Sequence, residues 1–167
     1  GGVIGLDRSE SMLQTASVWL REHSPRTRLV MADGAQLPFS RAFDAVFSGA
    51  TFHWIADHAA LFRSIVTALR PGGRLVAQCG GAGNLAQLMG RVSRLMEERR
   101  FVPFFTEWTE LTYYADVDST KRRLIGAGFT DVEVWRGLRG HGATPEAAVD
   151  DASAAVERWL AGAPATS

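Results

Sequence analysis

Short apolar runs alternate along the chain with longer segments in which apolar residues recur at every third or fourth position. The short runs are typical of buried β-strands, and the longer segments are typical of amphipathic helices. The predicted strands span residues 2–7, 28–32, 43–48, 74–79 and 132–135. The predicted helices span residues 10–22, 57–69, 85–99, 119–127 and 145–160. This alternation predicts an α/β protein with a doubly wound, mostly parallel sheet, in which ligands bind at the carboxyl ends of the strands.

The second predicted helix has a clear apolar face. Its large apolar residues recur at helical spacing, so we expect this face to be buried. These residues are Leu61, Phe62, Ile65 and Leu69. The segment Arg70-Pro71-Gly72-Gly73 is expected to end the helix, because proline and glycine continue a helix only at a cost.

Composition narrows the range of functions. The 167 residues suit one domain, and 18 Lys+Arg balance 18 Asp+Glu, which argues against binding nucleic acid through its phosphates. No apolar run approaches the ~18 residues of a membrane span. The single cysteine, Cys79, excludes an internal disulfide and a cysteine-based zinc site. We therefore expect a cytoplasmic protein that acts on a small molecule and binds neither nucleic acid nor membrane; the oligomeric state cannot be predicted.

Two acids follow predicted strands, where a ligand would lie. A carboxylate at Asp7 can accept hydrogen bonds from both hydroxyls of a ribose, and one at Asp33 can accept the exocyclic amine of adenine. The alternative for Asp7 is an acid stabilised at a helix N-terminus, and the alternative for Asp33 is a cap on the loop that follows. A nicotinamide-binding fold would also place a carboxylate at the end of its first strand, as this chain places Asp7.

Four short segments follow one another along the chain in an order that resembles a known family. They are Val3-Ile4-Gly5-Leu6-Asp7, Ala32-Asp33, Phe43-Asp44-Ala45-Val46-Phe47-Ser48 and Leu69-Arg70-Pro71-Gly72-Gly73. Over roughly residues 1–136 the chain resembles the class I S-adenosylmethionine-dependent methyltransferases. Within that class, Phe52-His53-Trp54-Ile55 followed by Asp57-His58 is similar to methyltransferases of the trans-aconitate type. The resemblance implies a Rossmann-like fold and methyl transfer from S-adenosylmethionine to a small molecule, with a carboxylate oxygen as the acceptor.

The resemblance also implies roles for particular residues. The cofactor would be bound by Asp7, Arg8, Met12, Asp33, Gly34 and Ser48. The acceptor would be bound by Phe52, His53 and Trp54, with His53 as the catalytic residue that acts as a general base or orients the acceptor oxygen. Met12 could instead be a core residue, and His53 could instead pack against Trp54. We expect no metal ion.

Two departures from the family are visible. The glycine-rich first motif is not found in the chain, and no final antiparallel strand is recognisable after residue 136. We therefore expect an incomplete sheet lacking the first and last strands. A partial methyltransferase core would span residues 1–136, and a C-terminal helix and tail would span residues 137–167. Cofactor binding and activity are expected to be weak or absent.

Two other classes of function stay open. One is a fragment of a nicotinamide-dependent oxidoreductase, which shares the acid at the end of the first strand. The other is a non-catalytic domain of methyltransferase shape that acts through protein contacts, for which exposed apolar edges would be the sign.

Overall fold

The computed structural model describes residues 2–24 and 26–137, which fall into two compact units. The first unit consists of Gly1–Val46, Asp57–Arg74 and Arg123–Thr130. The second consists, among the described residues, of Phe47–Ala56, Leu75–Arg122 and residues 131–137. The boundary predicted at residue 136 stays a prediction, and the helix predicted over residues 145–160 lies outside the described residues.

The first unit begins with two parallel strands joined by a helix. Strand β1 (Val3–Asp7) leads into helix α1 (Glu10–His23), and strand β2 (Thr27–Met31) returns beside β1. Ser9 caps the helix, because its side chain accepts the N–H of Met12 at 3.4 Å. The register pairs Asp7 with Met31, and the N–H of Ala32 donates to the carbonyl of Asp7 at 3.1 Å. The carboxyl ends of both strands therefore lie at the same edge.

The core of the first unit is built on helix α2 (His58–Ala68). The relative exposure of Leu61, Phe62 and Ile65 is 2% or less, which confirms the predicted apolar face. The N–H of Leu37 donates to the hydroxyl of Ser64 at 2.7 Å and so ties the loop after β2 to this helix.

Asp57→Ala is expected to lower the free energy of unfolding by about 1 kcal/mol. The Asp57 carboxylate accepts the N–H of Ala60 at 2.8 Å and caps α2, which alanine cannot do. Urea denaturation followed by circular dichroism measures the loss. Asp44→Ala is the control, because Asp44 forms only an exposed ion pair with Arg70 and such pairs contribute little. An equal loss in both variants would contradict the capping role.

A second pair of strands brackets α2 in the chain. Strand β3 (Phe43–Gly49) pairs with strand β4 (Leu69–Gln78). The N–H of Ala42 donates to the carbonyl of Ala68, and the N–H of Ala50 donates to that of Gln78, an order that makes the pair parallel. The four strands thus form two separate pairs, and the predicted α/β class is confirmed.

Strand β4 begins five residues earlier than the sequence predicts. The helix ends before Arg70 as expected, but Pro71 and Gly72 then lie within the strand and do not form a separate turn. Proline lacks the N–H that a central strand position would need, so it is tolerated near the start of a strand. Gly72 has a φ of 78°, a left-handed value that glycine adopts without a steric penalty.

Helices α3 (Ala86–Met96) and α4 (Val117–Ala127) complete the regular structure among the described residues. The predicted strand over residues 132–135 is wrong, because residues 132–137 form neither strand nor helix. The alternation of half-buried and exposed residues that suggested a strand is present, but a strand also needs a neighbour for its N–H and C=O groups. In the described part of the chain, no helix is long and apolar enough to cross a membrane.

Candidate functional site

Asp7 lies at the turn between β1 and α1, in the first unit. Its Oδ1 accepts the N–H of Ser9 at 2.8 Å, which fixes the carboxylate at the end of the strand. No other hydrogen bond reaches this carboxylate from the described residues, so Oδ2 is left to accept hydrogen bonds from a ligand. The helix-terminus role and a ligand role are therefore compatible in one side chain.

Asp33 has the same arrangement after β2. Its Oδ1 accepts the N–H of Ala35 at 2.9 Å and caps the short 3₁₀ helix Gly34–Gln36. Within the described residues its Oδ2 is likewise without a hydrogen bond. Asp7 ends β1 and Asp33 follows β2, and the carboxyl ends of these strands share one edge, so this edge presents two half-buried carboxylates.

Two further predicted cofactor residues follow β1. Arg8 is exposed in the turn, and Met12 is 58% exposed in the first turn of α1. Helix α1 has no buried residue, so the interpretation of Met12 as a core residue is wrong. The Met12 side chain is accessible to a ligand.

The remaining predicted residues lie in the second unit. Ser48 is half-buried near the end of β3, and the chain then turns at Ala50, which has a left-handed φ of 53°. Such a conformation costs an alanine about 1–2 kcal/mol, a strain that often marks functional turns. The turn leads into the short 3₁₀ helix Phe52–Trp54, in which Phe52 is buried and Trp54 is 57% exposed.

His53 is held by two other segments of this unit and by its neighbour Trp54. The N–H of Gly80 donates to its Nδ1 at 3.2 Å, and the N–H of Tyr113 donates to its carbonyl at 2.7 Å. The rings of His53 and Tyr114 stack with centroids 5.6 Å apart and planes inclined by 21°. The ring centroid of Trp54, on the same short helix as His53, lies 5.2 Å from that of His53. Burial among these groups lowers the pKa of His53, which favours the neutral imidazole.

Gly80 is the residue that sequence reasoning did not connect to His53. A Cβ atom at this position would lie 2.6 Å from Cε1 of Tyr114 and 2.8 Å from Nδ2 of Asn84, so only glycine fits. Its place just after β4 marks residues 79–81 as a strand end, but nothing in the sequence pairs them with residues 53 and 114. We refer to His53, Gly80 and Tyr114 as the imidazole cluster.

The other reactive groups of the described residues are not organised into a site. Burial raises the pKa of the Cys79 thiol, which makes it a poor nucleophile at neutral pH. Asp57 caps α2, and across the described residues no three His, Cys, Asp or Glu side chains come together as metal ligands. Asp44 forms an exposed ion pair with Arg70 at 2.6 Å, away from the carboxyl end of β3.

Comparison with known proteins shows which proteins the chain is similar to. The methyltransferase domain family (Methyltransf_11) matches residues 1–77, which include Asp7, Asp33 and His53. A trans-aconitate 2-methyltransferase of Methylobacterium radiotolerans is 38% identical over 92 residues, which cover 55% of the chain and 33% of that protein. A trans-aconitate 2-methyltransferase of Delftia acidovorans is 26% identical over an alignment of 174 positions, which covers 96% of the chain and 59% of that protein. The chain thus spans less than two thirds of the length of these curated relatives.

The fold agrees with this similarity. The crystal structure of an S-adenosylmethionine-dependent methyltransferase from Mesorhizobium loti superposes with a TM-score of 0.61 and 25% identity, covering 95% of the chain and 74% of that protein. The similarity in sequence and the similarity in fold point to the same family. Residues 1–77 match the methyltransferase domain family, and the chain is similar to class I S-adenosylmethionine-dependent methyltransferases of the trans-aconitate type.

Proposed function

We propose that this protein binds S-adenosylmethionine and transfers its methyl group to a carboxylate oxygen of a small molecule. The observation that carries the proposal is the pair of carboxylates at one edge of β1 and β2. Asp7 and Asp33 are each fixed by one oxygen and leave the other available among the described residues.

The chemistry of the first unit suits an adenosine. The available oxygen of Asp7 accepts the ribose hydroxyls, and that of Asp33 accepts the exocyclic amine of adenine. The backbone N–H of Gly34 serves a ring nitrogen, and Met12 offers an accessible apolar side chain for the face of the base. Arg8 adds a positive charge next to this edge.

The chemistry of the second unit suits an acceptor. Within this unit, Phe52, His53 and Trp54 contact the acceptor. A sulfonium is already activated and a carboxylate is already ionised at neutral pH, so alignment of the two supplies most of the rate. The relatives named trans-aconitate 2-methyltransferases support a carboxylate, since trans-aconitate carries carboxylate groups.

Saturation-transfer NMR with S-adenosylhomocysteine tests the cofactor part of the proposal over a wide range of affinity. We expect the adenine and ribose protons to receive saturation from the protein, because the carboxylate pair faces that half of the molecule. NAD⁺ is the control ligand. Saturation of NAD⁺ but not of S-adenosylhomocysteine would contradict the proposal and favour the oxidoreductase alternative.

Transfer of radiolabelled methyl from S-adenosylmethionine to trans-aconitate tests the reaction. The expected product is a methyl ester, which releases labelled methanol on treatment with base. Labelled product that survives base would contradict the carboxylate acceptor, and binding without any transfer would favour the non-catalytic alternative.

A further inference from the structure

We propose that the imidazole cluster holds His53 as a neutral hydrogen-bond donor at Nε2, so that His53 positions an acceptor that is already ionised and does not act as a general base. This inference rests on the proposed function, because it names what His53 does to the acceptor. It also sets the substrate class: carboxylates are accepted, and acceptors that must lose a proton during transfer are rejected.

The position of the proton follows from the contact with Gly80. A backbone N–H can only donate, so Nδ1 of His53 must accept at the 3.2 Å contact. A neutral imidazole carries one proton, which therefore lies on Nε2. In the described part of the chain no group bonds to Nε2, so this donor is available to a ligand.

The same contact makes His53 a weak base. A catalytic imidazole that takes up a proton usually has a carboxylate or carbonyl at its other nitrogen, which stabilises the imidazolium. Here the other nitrogen faces an N–H, so protonation would place two donors against each other. The aromatic rings of Trp54 and Tyr114, which lie beside His53, carry no negative charge. Burial lowers the pKa of His53 further.

The orientation of the ring is fixed as well as its tautomer. Tyr114 stacks on one face of His53, and its ring lies so near Gly80 that a Cβ atom added there would be 2.6 Å from Cε1 of Tyr114. The N–H of Tyr113 holds the backbone of His53. A donor held in this way has a defined direction, which is the property that alignment of an acceptor requires.

The methyl transfer balances without a base. One carboxylate oxygen attacks the methyl carbon, and the bond from that carbon to sulfur breaks with its electron pair passing to sulfur. The products are a methyl ester and the neutral thioether S-adenosylhomocysteine, and no proton is gained or lost. Nε2–H of His53 donates to the other carboxylate oxygen. A phenol or alcohol would have to lose its proton, and His53 cannot take it.

Nitrogen NMR of the chain labelled with ¹⁵N-histidine tests the tautomer directly. We expect His53 to show a proton on Nε2 and none on Nδ1, unchanged between pH 7 and pH 8. The spectrum of His53→Gln identifies which signals belong to His53. A proton on Nδ1, or an imidazolium at pH 7, would overturn the proposal whatever the activity.

Two substitutions of His53 distinguish a hydrogen-bond donor from a general base. Glutamine places an amide N–H near the position of Nε2 but cannot act as a base, whereas phenylalanine keeps a planar ring without any donor. With trans-aconitate as acceptor we expect kcat/KM to fall about 10- to 100-fold in His53→Phe and only about 3-fold in His53→Gln. Equal and large losses in both variants would identify His53 as a base and contradict the proposal.

The choice of acceptor gives the third measurement. We expect the wild-type chain to methylate trans-aconitate with a rate that is flat between pH 7 and pH 9, and not to methylate catechol. Methylation of catechol with a rate that rises with the deprotonation of His53 would overturn the inference but leave methyl transfer intact. A wild-type chain that binds no S-adenosylhomocysteine and methylates neither acceptor would overturn the proposed function, and with it this role of His53.

Discussion

Phe62→Ala is expected to lower the free energy of unfolding by about 3–5 kcal/mol. The Phe62 side chain is only 1% exposed at the centre of α2, between Leu61 and Ile65 of the same apolar cluster. Its removal forfeits the burial of an aromatic ring and leaves a cavity that neighbouring side chains fill only in part. Because a folded domain is stable by about 5–15 kcal/mol, this one change removes a large share of the total.

Chemical denaturation followed by circular dichroism measures this loss. Phe104→Ala is the matched control, because Phe104 is 79% exposed and its removal should change stability by less than about 0.5 kcal/mol. Similar losses in the two variants would show that the core of this protein does not lie on α2.

Helix α2 could be predicted because its local signals agree. Asp57 caps it, and Leu61, Phe62 and Ile65 form one continuous face. Helix α1 shows the limit of such a pattern, since Met12 and Trp19 have the same helical spacing but are 58% and 60% exposed. Periodicity identifies the apolar face of a helix, but what covers that face depends on other parts of the chain.

Strand pairing explains the differences in the sheet. Pro71 and Gly72 resemble a turn when viewed alone, but β4 begins at Leu69 because β3 is there to pair with it. Residues 132–135 have the alternation of a strand, and among the described residues they pair with none. Hydrogen bonding between segments that are distant in the chain decides such cases, and local propensity does not record it.

In the candidate site, too, one part could be predicted from the sequence and another could not. The shared edge of Asp7 and Asp33 could be predicted, because parallel strands bring their carboxyl ends together. The environment of His53 could not be predicted, since Gly80 and Tyr114 reach it from segments far along the chain. The resemblance suggested that His53 contacts the acceptor, and only the contact to its Nδ1 distinguishes a donor from a base.

Asp7→Asn is expected to raise the dissociation constant for S-adenosylhomocysteine about 10- to 100-fold, since a hydrogen bond to a charged group contributes about 1.5–3 kcal/mol. Asparagine keeps an Oδ1 that can accept the N–H of Ser9, so the cap on the turn before α1 is retained. Its Nδ2 replaces the oxygen that accepts the ribose hydroxyls, so the ligand contact is lost. Titration calorimetry of the variant against the wild-type chain measures the change.

Glu10→Gln is the control for this experiment. Glu10 lies in the first turn of α1 and accepts a hydrogen bond from the side chain of Gln14 at 3.2 Å, so its substitution removes a negative charge near the same helix terminus. We expect this variant to bind as the wild type does, because Glu10 is exposed and does not belong to the strand edge. Unchanged binding in Asp7→Asn would restrict Asp7 to its capping role. Equal weakening in both variants would show that the charge near the helix terminus matters and the position of the carboxylate does not.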